Sequence, residues 1–236
     1  MARQAADRSI PTRFLAGTGR QDSPSSLSRR AEGDGTVSMR VLELLTARLC
    51  YELSAPIAAI NNGIELLAEE EPGSTSEPGA GFSRDAAALL AESAQRAAAR
   101  LQFYRFAYGF SRGSVIAGRQ PHELAAGIFA ASQIVCDYPE KVRGLPLDWQ
   151  KLACNLLSVG VETLPRGGRL ILGADPLQLE AVGEAADLSG DRHAALMWKL
   201  SAGELTSRTV QSFFPRCLRR RSVAGSSLPP SPGGFA

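Results

Sequence analysis

Apolar residues recur every three or four positions in two long segments of the chain, which is the spacing of one face of an α-helix. The first segment covers residues 39–71, and its apolar stripe consists of Leu42, Leu45, Leu49, Leu53, Ile57, Ile60, Ile64 and Leu67. The second segment covers residues 83–108, with Ser83 in the position of a helix N-cap. The short connection is rich in Pro, Gly and Ser, so the pattern predicts a helical hairpin.

A single hairpin cannot bury an apolar stripe that runs along both of its helices. Two copies packed face to face make a four-helix bundle, in which each stripe is covered by the other copy. The hairpin therefore predicts a homodimer. Pro56 lies inside the first helix, where it removes one backbone hydrogen bond and is expected to kink the helix.

After residue 120 the spacing of apolar residues changes to a mixture of helical and alternating patterns. Helices are predicted over residues 121–131, 148–164 and 206–221. Strands are predicted over residues 134–138, 169–173, 177–182 and 194–200, with Asp175 and Pro176 in a hairpin turn. The predicted fold class is α+β, namely a helical hairpin followed by a small α/β sandwich with helices on one face of its sheet.

Both ends of the chain lack any sustained period. Residues 1–38 and 222–236 are polar or rich in Pro, Ser and Gly, and we expect them to be disordered. Residues 109–119 have the composition of a linker. The predicted domains are therefore residues 39–110 and residues 120–221, and Met39 is a possible start of translation.

Composition narrows the classes of function. Hydrophobic residues make up 44% of the chain, which is enough for a core, and the formal net charge of +2 favours neither nucleic acid nor membrane as a partner. No apolar run approaches the ~18 residues that a membrane span needs, and no signal peptide is recognisable, so we expect a cytoplasmic protein. The four cysteines form no C-x-x-C pair, and no metal site or cofactor is predicted.

Residues 48–63 read R-L-C-Y-E-L-S-A-P-I-A-A-I-N-N-G. This segment resembles the signature helix of the ChpT-type histidine phosphotransferases, whose typical pattern is R-L-C-H-D-L-x-x-P-[IV]-x-A-I-N-N-G. Three further segments resemble the family in the same order along the chain: residues 99–109, residues 152–168 and residues 205–211. Together the four segments cover roughly residues 40–215, and four ordered matches are far more specific than one.

The resemblance implies a fold similar to a histidine kinase core, with a dimerising hairpin followed by a degenerate ATPase-like domain. It implies transfer of a phosphoryl group from the receiver domain of a hybrid histidine kinase to response regulators. Asn155 stands where a kinase has its metal-binding asparagine. The chain has no D-x-G-x-G run and no glycine-rich lid to hold a triphosphate, so no ATP-dependent kinase activity is expected.

The chain departs from the family pattern at the residue that would carry the phosphoryl group, because Tyr51 stands where the family has histidine. A phosphoimidazole is labile enough to pass its phosphoryl group on. A tyrosine phenol, with a reference pKa near ~10, is a poor nucleophile at pH 7, and its phosphate ester is a low-energy species. Transfer onto Tyr51 would run downhill and stop.

The neighbours of Tyr51 are the other candidate site residues. Glu52 takes the place of the acidic residue that would orient or deprotonate the imidazole in the family. Arg48 either pairs with Glu52 one helical turn away or faces the aspartate of a docked receiver domain. The further candidates for partner binding are Ser54, Asn61 and Asn62.

Three interpretations of the whole chain remain open. The leading one is a phosphorelay protein that binds receiver domains without transferring a phosphoryl group. The second is an active phosphotransferase that uses another residue, such as His122. The third is an inactive relic or a sequence with errors, since the Arg-rich and Pro-rich residues 216–236 resemble the product of a frameshift. A purely structural helical dimer without signalling partners is a further alternative.

Overall fold

In the computed structural model the described residues are 12–15, 38–68, 77–109, 118–130, 132–215 and 217–218. Of residues 12–15 and 77–83 only the backbone is described. The fold combines a long helical hairpin with a smaller unit of helices and one four-stranded sheet, which confirms the predicted α+β class.

The hairpin consists of α1 (Met39–Ala68) and α2 (Glu77–Ala107), which pack against each other along their length. The second helix begins six residues before the predicted N-cap Ser83, because Pro78 can occupy a first helical turn, where its missing N–H needs no partner. Pro56 lies inside α1, as the sequence indicated.

The C-terminal unit follows the hairpin in the order helix, strand, two helices, strand hairpin, helix. Its elements are α3 (Pro121–Phe129), β2 (Ile134–Asp137), α4 (Glu140–Arg143), α5 (Leu147–Val161), β3 (Gly168–Ala174), β4 (Leu177–Val182) and α6 (Gly190–Leu196). A 3-10 turn (Ala202–Glu204) and a helical segment at residues 210–215 and 217–218 come last. The short helix α4 and the 3-10 turn had no counterpart in the prediction, and helix α6 overlaps a segment predicted as a strand.

The sheet has the strand order β1-β4-β3-β2, with β1 at Thr12–Leu15. The central pair β3–β4 is antiparallel and closes through Asp175 and Pro176, and β2 lies parallel to β3. Strand β1 pairs antiparallel with the free edge of β4, so the expectation of disorder throughout residues 1–38 is wrong at these four positions. Four residues are too few to show a period, whereas an open strand edge offers a row of backbone hydrogen-bonding groups to any extended segment.

Helix α5 covers the sheet and forms the centre of the core. Alternate residues of the strands point inward: Leu170 and Leu172 of β3 are buried, as are Leu177, Leu179 and Ala181 of β4. Every residue of α5 from position 150 to position 160 is buried, because the sheet covers one side of the helix and α2 and α3 lie against the other.

Hairpin and C-terminal unit share one hydrophobic core. Phe103 and Phe106 of α2 are fully buried in the cluster that contains Leu157 and Leu170. At the other end, Val41 and Leu45 of α1 pack in a second cluster around Leu205 and Val210. The two segments predicted as domains are therefore in contact at two places.

Two elements near the C-terminus differ from the prediction. Residues 194–200, predicted as a strand, form none: residues 194–196 are the last turn of helix α6, where Ala195 is fully buried, and Trp198 lies just after the helix at a positive φ of 55°. The last helix begins at residue 210 instead of 206, and residues 207–209 form a turn in which Thr209 Oγ1 accepts a hydrogen bond from the Thr206 backbone N–H. A mostly apolar run seven residues long, such as residues 194–200, does not distinguish a strand from a short buried helix.

Other predictions concern residues outside the described part of the chain. These are the remainder of residues 1–38 apart from Ser38, most of the linker, residues 219–221 of the last helix, and the tail at residues 222–236. Among the described residues, no helix combines the length and the apolar character needed to cross a bilayer.

The close packing of α5 on the sheet gives a prediction about stability. A Cβ atom added at Gly160 lies 2.7 Å from Leu170 Cδ2 and from Leu179 Cδ2, and both leucines are fully buried. We expect Gly160→Ala to lower the free energy of unfolding by about 1–3 kcal/mol through overpacking, measured by urea denaturation. Gly190→Ala, where an added Cβ meets nothing within 4 Å, is the matched control and should change stability by less than about 0.5 kcal/mol. Equal effects of the two substitutions would contradict the packing argument.

Candidate functional site

An exposed polar stripe runs along the middle of α1 and carries four of the predicted site residues. Tyr51 and Ser54 are followed by Asn61 and Asn62 at spacings that return to the same side of a helix, and all four are exposed. The side chain of Tyr51 stands out most, with 80% of its surface accessible. The Ser54 hydroxyl donates a hydrogen bond of 2.7 Å to the Cys50 carbonyl of the same helix.

The unusual Asn61-Asn62-Gly63 run has two separate explanations. Gly63 is buried against α2, where a Cβ atom would lie 2.7 Å from Leu90 Cγ, so glycine permits the close approach of the two helices. The two asparagines face solvent and are available to a partner. The sequence left close packing and polar docking as alternatives, and the structure contains the geometry for both.

Pro56 determines how the second helix is attached beside Tyr51. Proline has no N–H, so the carbonyl of Glu52 lacks its usual partner four residues further along α1. Arg100 of α2 supplies the missing donor, with Nη1 lying 2.6 Å from the Glu52 carbonyl oxygen. The same Nη1 lies 3.4 Å from Glu52 Oε2, so one guanidinium binds both backbone and side chain of the residue that follows Tyr51.

Arg48 and Glu52 belong to a larger group of alternating charges. Arg48 Nη2 lies 3.5 Å from Glu52 Oε1 and also forms an ion pair with Glu162, which follows α5. The other carboxylate oxygen of Glu162 lies 2.9 Å from Arg192 Nε in α6. We call this group the junction charge network; along the chain of contacts its members are Arg192, Glu162, Arg48, Glu52 and Arg100.

The network contains one of the two roles predicted for Arg48, the pairing with Glu52. Its side chain is only 16% exposed and is engaged by Glu162, Glu52 and, at 3.5 Å, the Ser207 carbonyl oxygen. The predicted pairing with Glu52 is therefore present, and the guanidinium is turned toward the C-terminal unit. The Glu52 carboxylate is likewise held between two arginines, Arg48 and Arg100.

Burial acts on the ionisable groups beneath this surface. Desolvation raises the pKa of the Tyr104 phenol to about 12, with a further contribution from the nearby Glu52 carboxylate, so this tyrosine stays protonated at neutral pH. Burial also raises the pKa of Glu162, while the charges of Arg48 and Arg192 act in the opposite direction. Of the four tyrosines, Tyr51 is exposed, and Tyr104, Tyr108 and Tyr138 are half-buried or buried.

Asn155 lies deep in the joint between hairpin and C-terminal unit. It is fully buried, and its amide Nδ2 donates hydrogen bonds of 2.9 Å to the carbonyls of Ala107 and Lys151. The Gln211 amide donates to the Asn155 backbone carbonyl at 3.3 Å. The residue predicted to mark a degenerate nucleotide site thus binds the end of α2, a role that its position in the sequence did not reveal.

The histidines and other possible ligands lie elsewhere. His122 is half-buried near the start of α3, with its ring 6.2 Å from that of Tyr138, and His193 is exposed on α6. All four cysteines are thiols, and none of them is joined to another by a disulfide bond. Within the described part of the chain, no group of three or more His, Cys, Asp or Glu residues has the arrangement of a metal site.

A shallow groove of about 590 Å³ lies between α2 and α3 and borders Arg100. Arg96 and Arg119 also line it, but Arg96 is paired with Glu92 of the same helix, and Arg100 is held by Glu52. Since two of its arginines are already neutralised, the groove gives little support to binding of a phosphate group.

Sequence reasoning missed three residues of this site: Glu162, Arg192 and Arg100. Two of them, Arg100 and Glu162, lie within segments that resemble the phosphotransferase family, and that was the available signal. Their spatial proximity to Arg48 and Glu52 depends on how four separate elements pack, so no spacing along the chain predicts it.

Three of the matches found by comparison with known proteins describe what the chain is similar to. Residues 119–225 match the family model described as the histidine phosphotransferase C-terminal domain. The chain is 36% identical over 129 residues to the protein phosphotransferase ChpT of Brucella abortus (strain 2308), an alignment that covers 54% of this chain and 57% of that protein. The match therefore spans little more than half the length of this relative. A solved structure described as a bacterial phosphotransferase superposes with a TM-score of 0.62 at 26% identity, covering 80% of this chain and 89% of that one.

The pairing of Pro56 with Arg100 gives a prediction that separates it from an ordinary surface contact. Arg100→Met removes the guanidinium but keeps most of the stem, and it should cost about 1–3 kcal/mol of stability because the Glu52 carbonyl loses its donor. In a Pro56→Ala background the restored N–H can bind that carbonyl, so the cost of Arg100→Met should fall by about 1 kcal/mol in a double-mutant cycle.

The control for this cycle is Arg96→Met, one helical turn earlier on α2, where the arginine pairs with Glu92 of its own helix. Its effect should stay below about 0.5 kcal/mol in both backgrounds. If Arg100→Met lowers stability equally with and without Pro56, the hydrogen bond to the Glu52 carbonyl is not the source of the stabilisation by Arg100.

Proposed function

We propose that this chain is a member of the ChpT-type histidine phosphotransferase family, and that it is a phosphorelay protein that binds receiver domains without transferring a phosphoryl group. The proposed partners are the receiver domains of response regulators and that of a hybrid histidine kinase. The proposed location is the cytoplasm, where such partners are found.

The observation that carries this proposal is the exposure of Tyr51 in the middle of a helix that otherwise follows the family pattern. Tyr51 is 80% exposed, and Ser54, Asn61 and Asn62 are exposed on the same side of the helix. An exposed stripe of polar and aromatic groups on a helix is suited to docking a partner, while the phenol at its N-terminal end replaces the acceptor nitrogen.

The chemistry of a phenol supports binding over transfer. Attack of a phenol oxygen on an aspartyl phosphate would break the bond between phosphorus and the carboxylate oxygen and form an aryl phosphate ester, with release of the phenolic proton. The ester is much lower in energy than the acyl phosphate, so the group could not return to a second aspartate. Glu52 lies next to Tyr51 in sequence, but both its carboxylate oxygens are held by arginines, which weakens it as a general base.

The surroundings of His122 give less support to an active relay through that residue. His122 is half-buried on α3, outside the hairpin, and its ring lies beside that of Tyr138. The aspartate of a docked receiver domain must be able to reach a relay histidine. His122 lies on α3 and not on the exposed stripe of α1, where we propose that the receiver docks.

We also propose that the chain acts as a homodimer. Ile57 and Ile64 of α1 are 49% and 54% exposed, and Leu53 and Ile60 on the same side are only partly covered. Exposed apolar residues in a continuous stripe are typical of an interface, and a second hairpin would cover them in a four-helix bundle.

The proposed function is tested with a phosphorylated receiver domain as donor and with Tyr51→His and Tyr51→Phe variants. The parent protein and Tyr51→Phe should bind the receiver, measured by calorimetry, and should take up no acid-labile phosphate. Tyr51→His should bind equally well and gain phosphate that is labile in acid and stable in alkali, because an imidazole nitrogen can carry the group reversibly.

Two results would contradict the proposal. One is phosphate that reaches a second receiver through the parent protein, which would show an active relay. The other is an absence of receiver binding by parent and variants alike, which would favour a purely structural dimer.

The homodimer is tested by sedimentation velocity. Ile57→Glu places a charge in the proposed apolar interface and should weaken dimerisation at least about tenfold, since burying an unpaired carboxylate is costly. Met197→Glu is the matched control, because Met197 is also 49% exposed but lies just after α6 in the C-terminal unit. A monomeric parent, or equal weakening by both substitutions, would disprove this mode of association.

A further inference from the structure

The contacts between α1 and the C-terminal unit are of two kinds. Val41, Leu44 and Leu45 pack against Leu205 and Val210, and such apolar contacts attract without fixing a direction. The junction charge network lies one helical turn further along α1, and its ion pairs depend on the position of individual atoms. The network is therefore the part of this contact that can fix the rotation and register of α1.

We infer that Glu162 is a positioning residue, whose carboxylate fixes α1 on the C-terminal unit at the level of Tyr51. Its two oxygens are taken by arginines from two different helices, Arg48 of α1 and Arg192 of α6. The Arg192 guanidinium also lies 3.4 Å from the Glu162 backbone carbonyl oxygen, which ties α6 to the end of α5.

Charge explains why Glu162 holds this role in preference to its neighbours. It is the least exposed member of the network, at 12%, and it separates two cations that would otherwise face each other in a half-buried site. Removing one partner from a buried ion pair leaves an uncompensated charge, which is far more costly than losing a surface pair. If Arg48 lost its pairing with Glu162, the Glu52 carboxylate would be the remaining anion beside Arg48 in the network.

The position of the network connects Glu162 to the exposed stripe. Arg48 and Glu52 lie on either side of Tyr51 in the sequence and pair with each other. Glu162 also holds Arg48, and Arg100 also holds Glu52. A shift of α1 relative to the C-terminal unit would move Tyr51 with it. The effect of Glu162 on a docked receiver rests on the proposed function, whereas its effect on α1 does not.

The inference is tested by hydrogen exchange of the full chain, resolved by segment. In Glu162→Gln, backbone amides in residues 41–52 and 205–211 should exchange at least about tenfold faster, because local separation of α1 becomes easier. Exchange in β3 and β4 should stay unchanged. The control is Glu184→Gln, which removes an exposed ion pair with Arg166 and should leave every segment as in the parent.

Two further variants keep the test decisive. Glu162→Asp retains the charge and should restore exchange to within about threefold of the parent, which a purely steric role for Glu162 would not predict. If Glu162→Gln does not fold, Arg192→Gln removes the other arm of the pair, and the same two segments should exchange faster. Exchange like that of Glu184→Gln, or acceleration spread evenly into β3 and β4, overturns the inference.

Receiver affinity is measured on the same variants. Faster exchange together with weaker receiver binding in Glu162→Gln supports the positioning role at the docking surface. If Glu162→Gln exchanges faster but the parent protein binds no receiver, the proposed function fails. The inference that Glu162 fixes α1 then still stands. Faster exchange with unchanged receiver affinity overturns the link between Glu162 and docking.

Discussion

The architecture depends on the burial of the end of α2 in the core of the C-terminal unit. Phe103 and Phe106 are completely inaccessible, so the helix that forms half of the hairpin is also a core element of the second unit. Fully burying a side chain of this size stabilises a fold by roughly 1.5–3 kcal/mol. The hairpin cannot detach without exposing both rings, and the polar contacts around the joint form on this fixed base.

In those polar contacts, side chains from distant segments supply hydrogen bonds that helix backbones lack. Pro56 removes a donor from α1, and Arg100 of α2 satisfies the carbonyl of Glu52 in its place. At the end of α2, where the last carbonyls of a helix lack partners, Asn155 donates to Ala107 and Lys151 Nζ lies 3.1 Å from the Gly109 carbonyl oxygen. In both places a long or buried side chain from a distant segment completes a helix that its own sequence leaves incomplete.

The proposed function rests on Tyr51 and the helix around it. The surface beside Tyr51 is polar and exposed, as docking of a partner requires. Since a phosphate ester of tyrosine cannot return its phosphoryl group to an aspartate, we propose that this helix, which resembles the signature helix of the phosphotransferases, binds a receiver domain without passing the group on. The junction charge network adds a way to hold that helix in one orientation beside the C-terminal unit.

The sequence alone determined the α+β class, the two long helices and the hairpin β3–β4, because each has a period that neighbouring residues express. It also predicted candidate site residues on α1, and the structure places Tyr51, Ser54, Asn61 and Asn62 on one exposed side of that helix. Tertiary structure alone decided that residues 194–196 end helix α6 and do not begin a strand, that Asn155 binds the end of α2, and that Glu162 meets Arg48. A buried contact between distant segments depends on how whole elements pack, and a local pattern contains no record of that packing.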